Sequence, residues 1–287
     1  MKRHLTNVFL ERGIFGINFF FVIMMILTFY FQWNLELFFY SLIFTTLVLS
    51  YLMFSKFRVF SKGIILSNLF VYFYFLYPYI GVFSTQYFPQ ISTYILILYT
   101  LFLSYILLEF LGKKEEILKT IPNISVTPIV FVFLGSFLVG AIFFFVGEPI
   151  PKEIFSIEQG ATNLILYILF LAFLIGISEQ LLFTGFLFQT YKTMTSEMEA
   201  QIQTSILFVA FHMLRIQAVI ASFVLVYGSN AYFYMTLYFL ALFLFMNISI
   251  LLYRGFTFKG KQIKGSFTYS VIFHTLVDFT LIYLIIV

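Results

Sequence analysis

Apolar runs long enough to cross a bilayer recur along this chain, and that recurrence limits the fold more than any other feature. A helix needs about 17 to 25 such residues to traverse the hydrocarbon. Runs of that length lie at roughly 14–31, 37–54, 63–83, 91–111, 126–146, 161–188, 204–227, 232–253 and 267–287. The 287 residues are 62% hydrophobic and only 10% charged, too few charges to cover a water-exposed surface. An outer-membrane barrel would show short segments of polar alternation, and the sequence has none. The expected fold is all-α, a polytopic transmembrane helical bundle of about eight or nine spans. The count depends most on the last two hairpins and on the break at Gly228-Ser229-Asn230.

The basic residues orient the bundle, because short cytoplasmic loops collect Lys and Arg. Lys2, Arg3 and Arg12 precede the first run; Lys56, Arg58 and Lys62 follow the second; Lys113, Lys114 and Lys119 follow the fourth. Lys192 follows the sixth, and Arg254, Lys259, Lys261 and Lys264 follow the eighth. The intervening loops hold no basic residue except Lys152, among Glu148, Glu153 and Glu158. An integral protein of the cell membrane is expected, with its N-terminus cytoplasmic and Val287 outside. The stretch Met1-Lys2-Arg3-His4 runs into the first span without a small-residue cleavage site, so it reads as a retained span. The net charge of +4 is then a matter of orientation, and nucleic acid is not an expected partner. With no cysteine, there is no disulfide, thiolate zinc site or cysteine nucleophile.

One boundary is visible. The charged connector 112–125, with Lys113, Lys114, Glu115, Glu116, Lys119 and Pro122, separates a four-span region, 1–111, from a second region, 126–287. The first four spans contain almost nothing ionisable apart from Glu109, close enough to the cytoplasmic end to snorkel. The second region carries Glu179, His212, Arg215, His274 and Asp278 inside its spans, with the neutral Gln180 beside Glu179. Ionisable groups in hydrocarbon cost roughly 2.5 to 3.5 kcal/mol each, so they persist where they pair, line water or do chemistry. At about 1.5 Å per helical residue, Glu179, His212 and His274 fall at one depth, roughly 10 to 14 Å inside the cytoplasmic face. Asp278 follows His274 by four residues and shares its helix face, and Arg215 follows His212 by three. Taken singly, either histidine reads as a structural hydrogen-bond partner between helices; taken together, the four groups read as a site. Phe208 and the other aromatics read as packing.

The segment Ser178-Glu179-Gln180-Leu181-Leu182-Phe183-Thr184-Gly185 resembles the first motif, EExxxR, of the CAAX protease and bacteriocin-processing (CPBP or Abi) family. Phe208-Val209-Ala210-Phe211-His212 is similar to its second motif, FxxxH, and His274-Thr275-Leu276-Val277-Asp278 to its third, HxxxN/D. The resemblance covers about residues 126–287 and implies an intramembrane endopeptidase opening to the cytoplasm. Glu179 would then activate water as general base, with His212 positioning the water and the scissile carbonyl. His274 and Asp278 would complete the site and stabilise the oxyanion. The implied partner is a membrane-associated peptide or protein substrate in the lipid bilayer, and the first four spans could recruit a further membrane protein. No cofactor is implied.

Two positions depart from the motif, with Gln180 at its second Glu and Thr184 at its Arg. Both changes remove charge, and the pair at this spacing could have been an ion pair along one helix face. Losing both together strands no buried charge, which leaves the chemistry to Glu179, His212, His274 and Asp278. A degenerate member serving as a scaffold or regulator of a partner is the alternative. Two histidines and a carboxylate could also bind zinc with Glu179 as base, though there is no local HExxH. A transporter would show half-helix breaks and repeats around the polar residues, and neither is visible.

Overall fold

In the computed structural model of the protein, the described residues are 86–88, 91, 94–95, 97–102, 105, 126–146, 164–192, 195–214 and 223–286. The first three expected spans, the connector 112–125, Glu109, the acidic loop around Lys152 and Arg215 lie outside them, and the expected span 91–111 is described only in part.

From residue 126 onward the apolar runs become helices. Helix α1 is Val126–Val146, and α2 is Leu164–Gln180, extended by a π-helical stretch, Leu181–Phe188, and a closing turn, Gln189–Lys192. Helix α3 is Glu197–Leu214, and α4 is Ala231–Arg254, entered through a 3-10 turn at Gly228–Asn230. Strands β1, Gly255–Phe258, and β2, Lys261–Lys264, precede α5, Phe267–Ile286. Among the described residues, three stretches are long and apolar enough to cross a membrane: Val126–Val146 with 21 residues, Ile168–Lys192 with 25 and Phe223–Arg254 with 32. Large apolar side chains such as Val126, Phe137, Phe144, Leu225 and Tyr232 face outward, as contact with lipid requires.

Two details differ from the expectation. The helix that carries the seventh run, placed at 204–227, starts earlier than expected: α3 begins at Glu197, seven residues before that run, and 215–222 lie outside the described residues. The start is set by a reciprocal cap, with Glu199 N–H donating to Ser196 Oγ and Ser196 N–H donating to Glu199 Oε2, each at 3.3 Å. Hydropathy could not see it, because the first turns are polar. The loop after the eighth run folds into an antiparallel hairpin, Gly255 opposite Lys264 and Phe258 opposite Lys261. Its two-residue turn has positive φ at Lys259 (49°) and Gly260 (74°), the twist that suits flanking strands. Lys at the first turn position makes the sequence signal weaker than Asn-Gly or Asp-Gly.

The helices alternate in direction. Glu197 lies 3.1 Å from Lys192 Nζ and 3.4 Å from Arg254 Nη1, which puts the end of the α2 extension, the start of α3 and the end of α4 at one end of the bundle. Phe131, early in α1, packs edge-on against Phe256 and Phe258 of the hairpin, at 4.9 and 5.1 Å between centroids. At the far end Tyr227 donates to the carbonyl of Val146.

Between helices in a membrane, lipid competes with apolar packing, so close approach and interhelical hydrogen bonds carry association. Helices α2 and α5 form the most extensive contact, and Gly176 makes it possible. A Cβ there would lie 3.0 Å from Thr275 Oγ1 and 3.3 Å from its backbone nitrogen. Polar ties join the rest: Gln189 donates to Tyr253 Oη at 2.7 Å, Gln201 to Asn247 Oδ1 at 3.0 Å, and the Ser249 and Ser270 hydroxyls meet at 2.7 Å. Ile97 and Leu101, from the fourth run, pack with Ile168, Leu171, Ala172 and Ile282 of α2 and α5.

Candidate active site

The Gly176 approach brings the end of α2 against the middle of α5, where the ionisable residues lie. Glu179 and His274 are 4% and 2% exposed. Glu179 Oε2 is 3.6 Å from His274 Nε2, and Asp278 Oδ2 is 3.2 Å from the same nitrogen. Two carboxylates thus address one imidazole nitrogen. Asp278, one helical turn beyond His274, is close in distance but off the hydrogen-bond line, and its Oδ2 is buried and accepts no hydrogen bond among the described residues. It has capacity for a further donor.

His212 reaches this group through Phe208. Four residues earlier on α3, Phe208 offers its carbonyl to His212 Nδ1 at 2.9 Å. A carbonyl can only accept, so Nδ1 carries the proton, and in the neutral ring Nε2 is the acceptor. The Phe208 ring lies 4.3 Å from the His212 ring and 6.4 Å, edge-on, from the His274 ring. Phe245 adds an edge contact to His274 at 4.6 Å and stacks with Phe208 at 5.4 Å. These aromatics are core residues, and they also form the wall that holds both imidazoles. The spacing FxxxH puts the ring and the carbonyl of the same Phe within reach of the His one turn on.

Gln180 sits differently from what its sequence suggested. It is fully buried, and its Nε2 lies 2.7 Å from His274 Nδ1. Ser270 donates to its Oε1, and Ser249 in turn meets Ser270. Thr184 does not face the Gln180 side chain as an ion-pair partner would; its hydroxyl donates to the Gln180 backbone carbonyl at 2.6 Å. The π-helical stretch begins at the next residue, Leu181, and such segments are rare and concentrate at functional sites. Gln180 and Ser270 are thus site residues that motif reading passed over. The available signal was the spacing of Ser270 from His274, four residues on one helix face.

Among the described residues, no group of three or more His, Cys, Asp or Glu side chains is arranged to hold a metal ion. The arrangement can accept a proton at a carboxylate, donate one from His274 Nε2, and exclude bulk water. Compared with known proteins, the chain matches no family model, no curated protein and no solved structure.

Proposed function

We propose that this chain is an intramembrane endopeptidase of the CAAX-protease and bacteriocin-processing type, cleaving a membrane-associated peptide or protein near the cytoplasmic face of the cell membrane. The observation that carries the reading is the convergence of a buried Glu179 and His274 with the partly buried Asp278 between the apolar helices α2 and α5. The motifs on α2, α3 and α5 add their resemblance to it. In the proposed reaction Glu179 takes a proton from water as the water oxygen bonds to the scissile carbonyl carbon. The C–N bond then breaks, and Glu179 passes that proton to the leaving amine. His274 Nε2–H is the donor for the developing oxyanion. Asp278, 3.2 Å from His274 Nε2, acts on the imidazole through its charge, and His212 Nε2 accepts a hydrogen bond from the water or the substrate.

A catalytically silent member that holds a partner protein is the second reading. The observation in its favour is that Gln180 and Thr184 occupy the Glu and Arg positions of the motif. Purified protein in vesicles, given membrane-anchored peptides carrying a fluorescent reporter, separates the two. The endopeptidase reading expects cleavage that Glu179→Gln lowers about a hundredfold or more. Binding without cleavage by both proteins favours the second reading. Orientation is tested by single cysteines placed at Lys119 and Lys261 in the cysteine-free chain: both should label from the cytoplasmic side, and external labelling of either would reverse the proposed topology.

A further inference from the structure

The histidine at the centre of the site is held by three hydrogen-bonding groups in series, Gln180, Ser270 and Ser249, and as they are placed they donate in one direction. Ser270 has a single hydroxyl proton, which it gives to Gln180 Oε1. Ser249, 2.7 Å away, must therefore donate to Ser270 Oγ. With its oxygen engaged by Ser270, Gln180 presents Nε2–H to His274 Nδ1 at 2.7 Å. The imidazole then accepts at Nδ1 and carries its proton on Nε2, the nitrogen that faces Glu179 and Asp278.

The far end of the series agrees with this direction without fixing it, since Glu179 stands 3.6 Å from Nε2 and Asp278 lies off the hydrogen-bond line. Were the Gln180 amide turned over, the neutral ring would carry its proton on Nδ1, and the lone pair of Nε2 would face two carboxylates, an acceptor against two acceptors. Ser249, Gln180, Ser270 and His274 are all buried, so none of these bonds is exchanged for water, and an unmade one would carry the full desolvation cost. Bonds in such a series polarise one another, each strengthening the next.

We infer that Gln180 is a positioning residue of this site: with Ser270 and Ser249 behind it, it fixes His274 as the Nε2–H tautomer, so that a donor is always presented to the carboxylates and to the reacting oxygen. An ionised glutamate at this position, as in the motif the segment resembles, could only accept, and it would draw the His274 proton to Nδ1. Gln180 therefore sets the reverse polarity from Glu; it is not a neutral remnant of an ion pair. His212 is held the opposite way, its Nδ1–H donating to the Phe208 carbonyl, so the two imidazoles present one donor and one acceptor nitrogen. The tautomer assignment stands on geometry alone; its effect on rate rests on the endopeptidase reading.

The chain contains three histidines, His4, His212 and His274, which makes nitrogen NMR of histidine-labelled protein in lipid or detergent tractable, with assignment by His4→Asn and His212→Asn. At neutral pH the wild-type His274 should show a protonated Nε2 and an unprotonated Nδ1, and His212 the reverse. Gln180→Ala should release His274 into mixed tautomers, and the milder Ser270→Ala should do so in part. In peptide cleavage Gln180→Ala should lower kcat about tenfold or more with little change in KM. A wild-type His274 protonated on Nδ1, whether neutral or as imidazolium, overturns the proposal without any variant having to fold, and so does a Gln180→Ala protein that keeps the wild-type tautomer. If wild-type protein shows the stated tautomers but cleaves nothing, the endopeptidase reading fails and the positioning by Gln180 stands.

Discussion

Among the described residues, two clusters set carboxylates against nitrogen partners, and they obey different rules. At the α3 start, Glu197 bridges Lys192 and Arg254 at 3.1 and 3.4 Å, with the carboxylate side chain 41% exposed. In the interior, Glu179 and Asp278 share His274 at 3.6 and 3.2 Å with almost no exposure of the imidazole. The outer group has one carboxylate between two full cations, in water that screens them. The inner group has two carboxylates around one imidazole, and it needs a hydrogen-bond series through Gln180, Ser270 and Ser249 to hold that ring. Distance alone would rank the two groups alike. Burial and the balance of donors against acceptors separate them: the outer group ties three helix ends together, while the inner group is kept at a cost that ordinary packing would not justify.

The comparison predicts a graded series of effects. His274→Ala removes the group that both inner carboxylates address, and it should destabilise the bundle by about 3 to 5 kcal/mol, as breaking a buried pair does; unfolding in mixed micelles measures it, and a loss under about 1 kcal/mol would mean water already reaches the site. Gly176→Ala inserts a methyl group 3.0 Å from Thr275 Oγ1 and 3.5 Å from His274 Cβ. It should cost about 1 to 3 kcal/mol by overpacking, and cleavage should fall with stability because the same approach positions His274. Glu197→Gln, by contrast, should cost about 1 kcal/mol or less and lose its effect in high salt. Partial burial pushes the Glu197 carboxyl up, but Lys192 and Arg254 together hold it below its ordinary value. A carboxyl lowered in this way contributes stability above its unfolded value and loses it as pH falls through the folded one. The wild-type protein should therefore lose slightly more stability on acidification than Glu197→Gln does, and equal acid sensitivity in the two would remove Glu197 from the account of that end.

Much of this architecture could be read from the residues. The run 126–146 became Val126–Val146, and the run 232–253 became Ala231–Arg254, because apolar length is decided locally. The start of α3 escaped, since Ser196 and Glu199 form their cap in a polar stretch that a hydropathy reading discards. The hairpin escaped because Lys259-Gly260 is a poor hairpin signal until both positive φ angles are seen. For the candidate site, Glu179, His274 and Asp278 were legible as intramembrane ionisable groups, and the spacing of four between His274 and Asp278 fixed their common face. Gln180 was not, because its partners Ser270 and His274 are 90 and 94 residues away in the chain. A local motif comparison registers only that a charge is missing, and no local rule says that an amide will meet an imidazole from another helix.

Cleavage of a membrane-anchored peptide by the purified, vesicle-reconstituted protein, with Glu179→Gln measured beside it, tests the central claim most directly. The account predicts turnover by the wild-type chain and a loss of about a hundredfold or more in kcat for the variant, with its fold and thermal midpoint preserved. Equal cleavage by a folded Glu179→Gln protein would contradict it, since the carboxylate beside His274 would then not be the base.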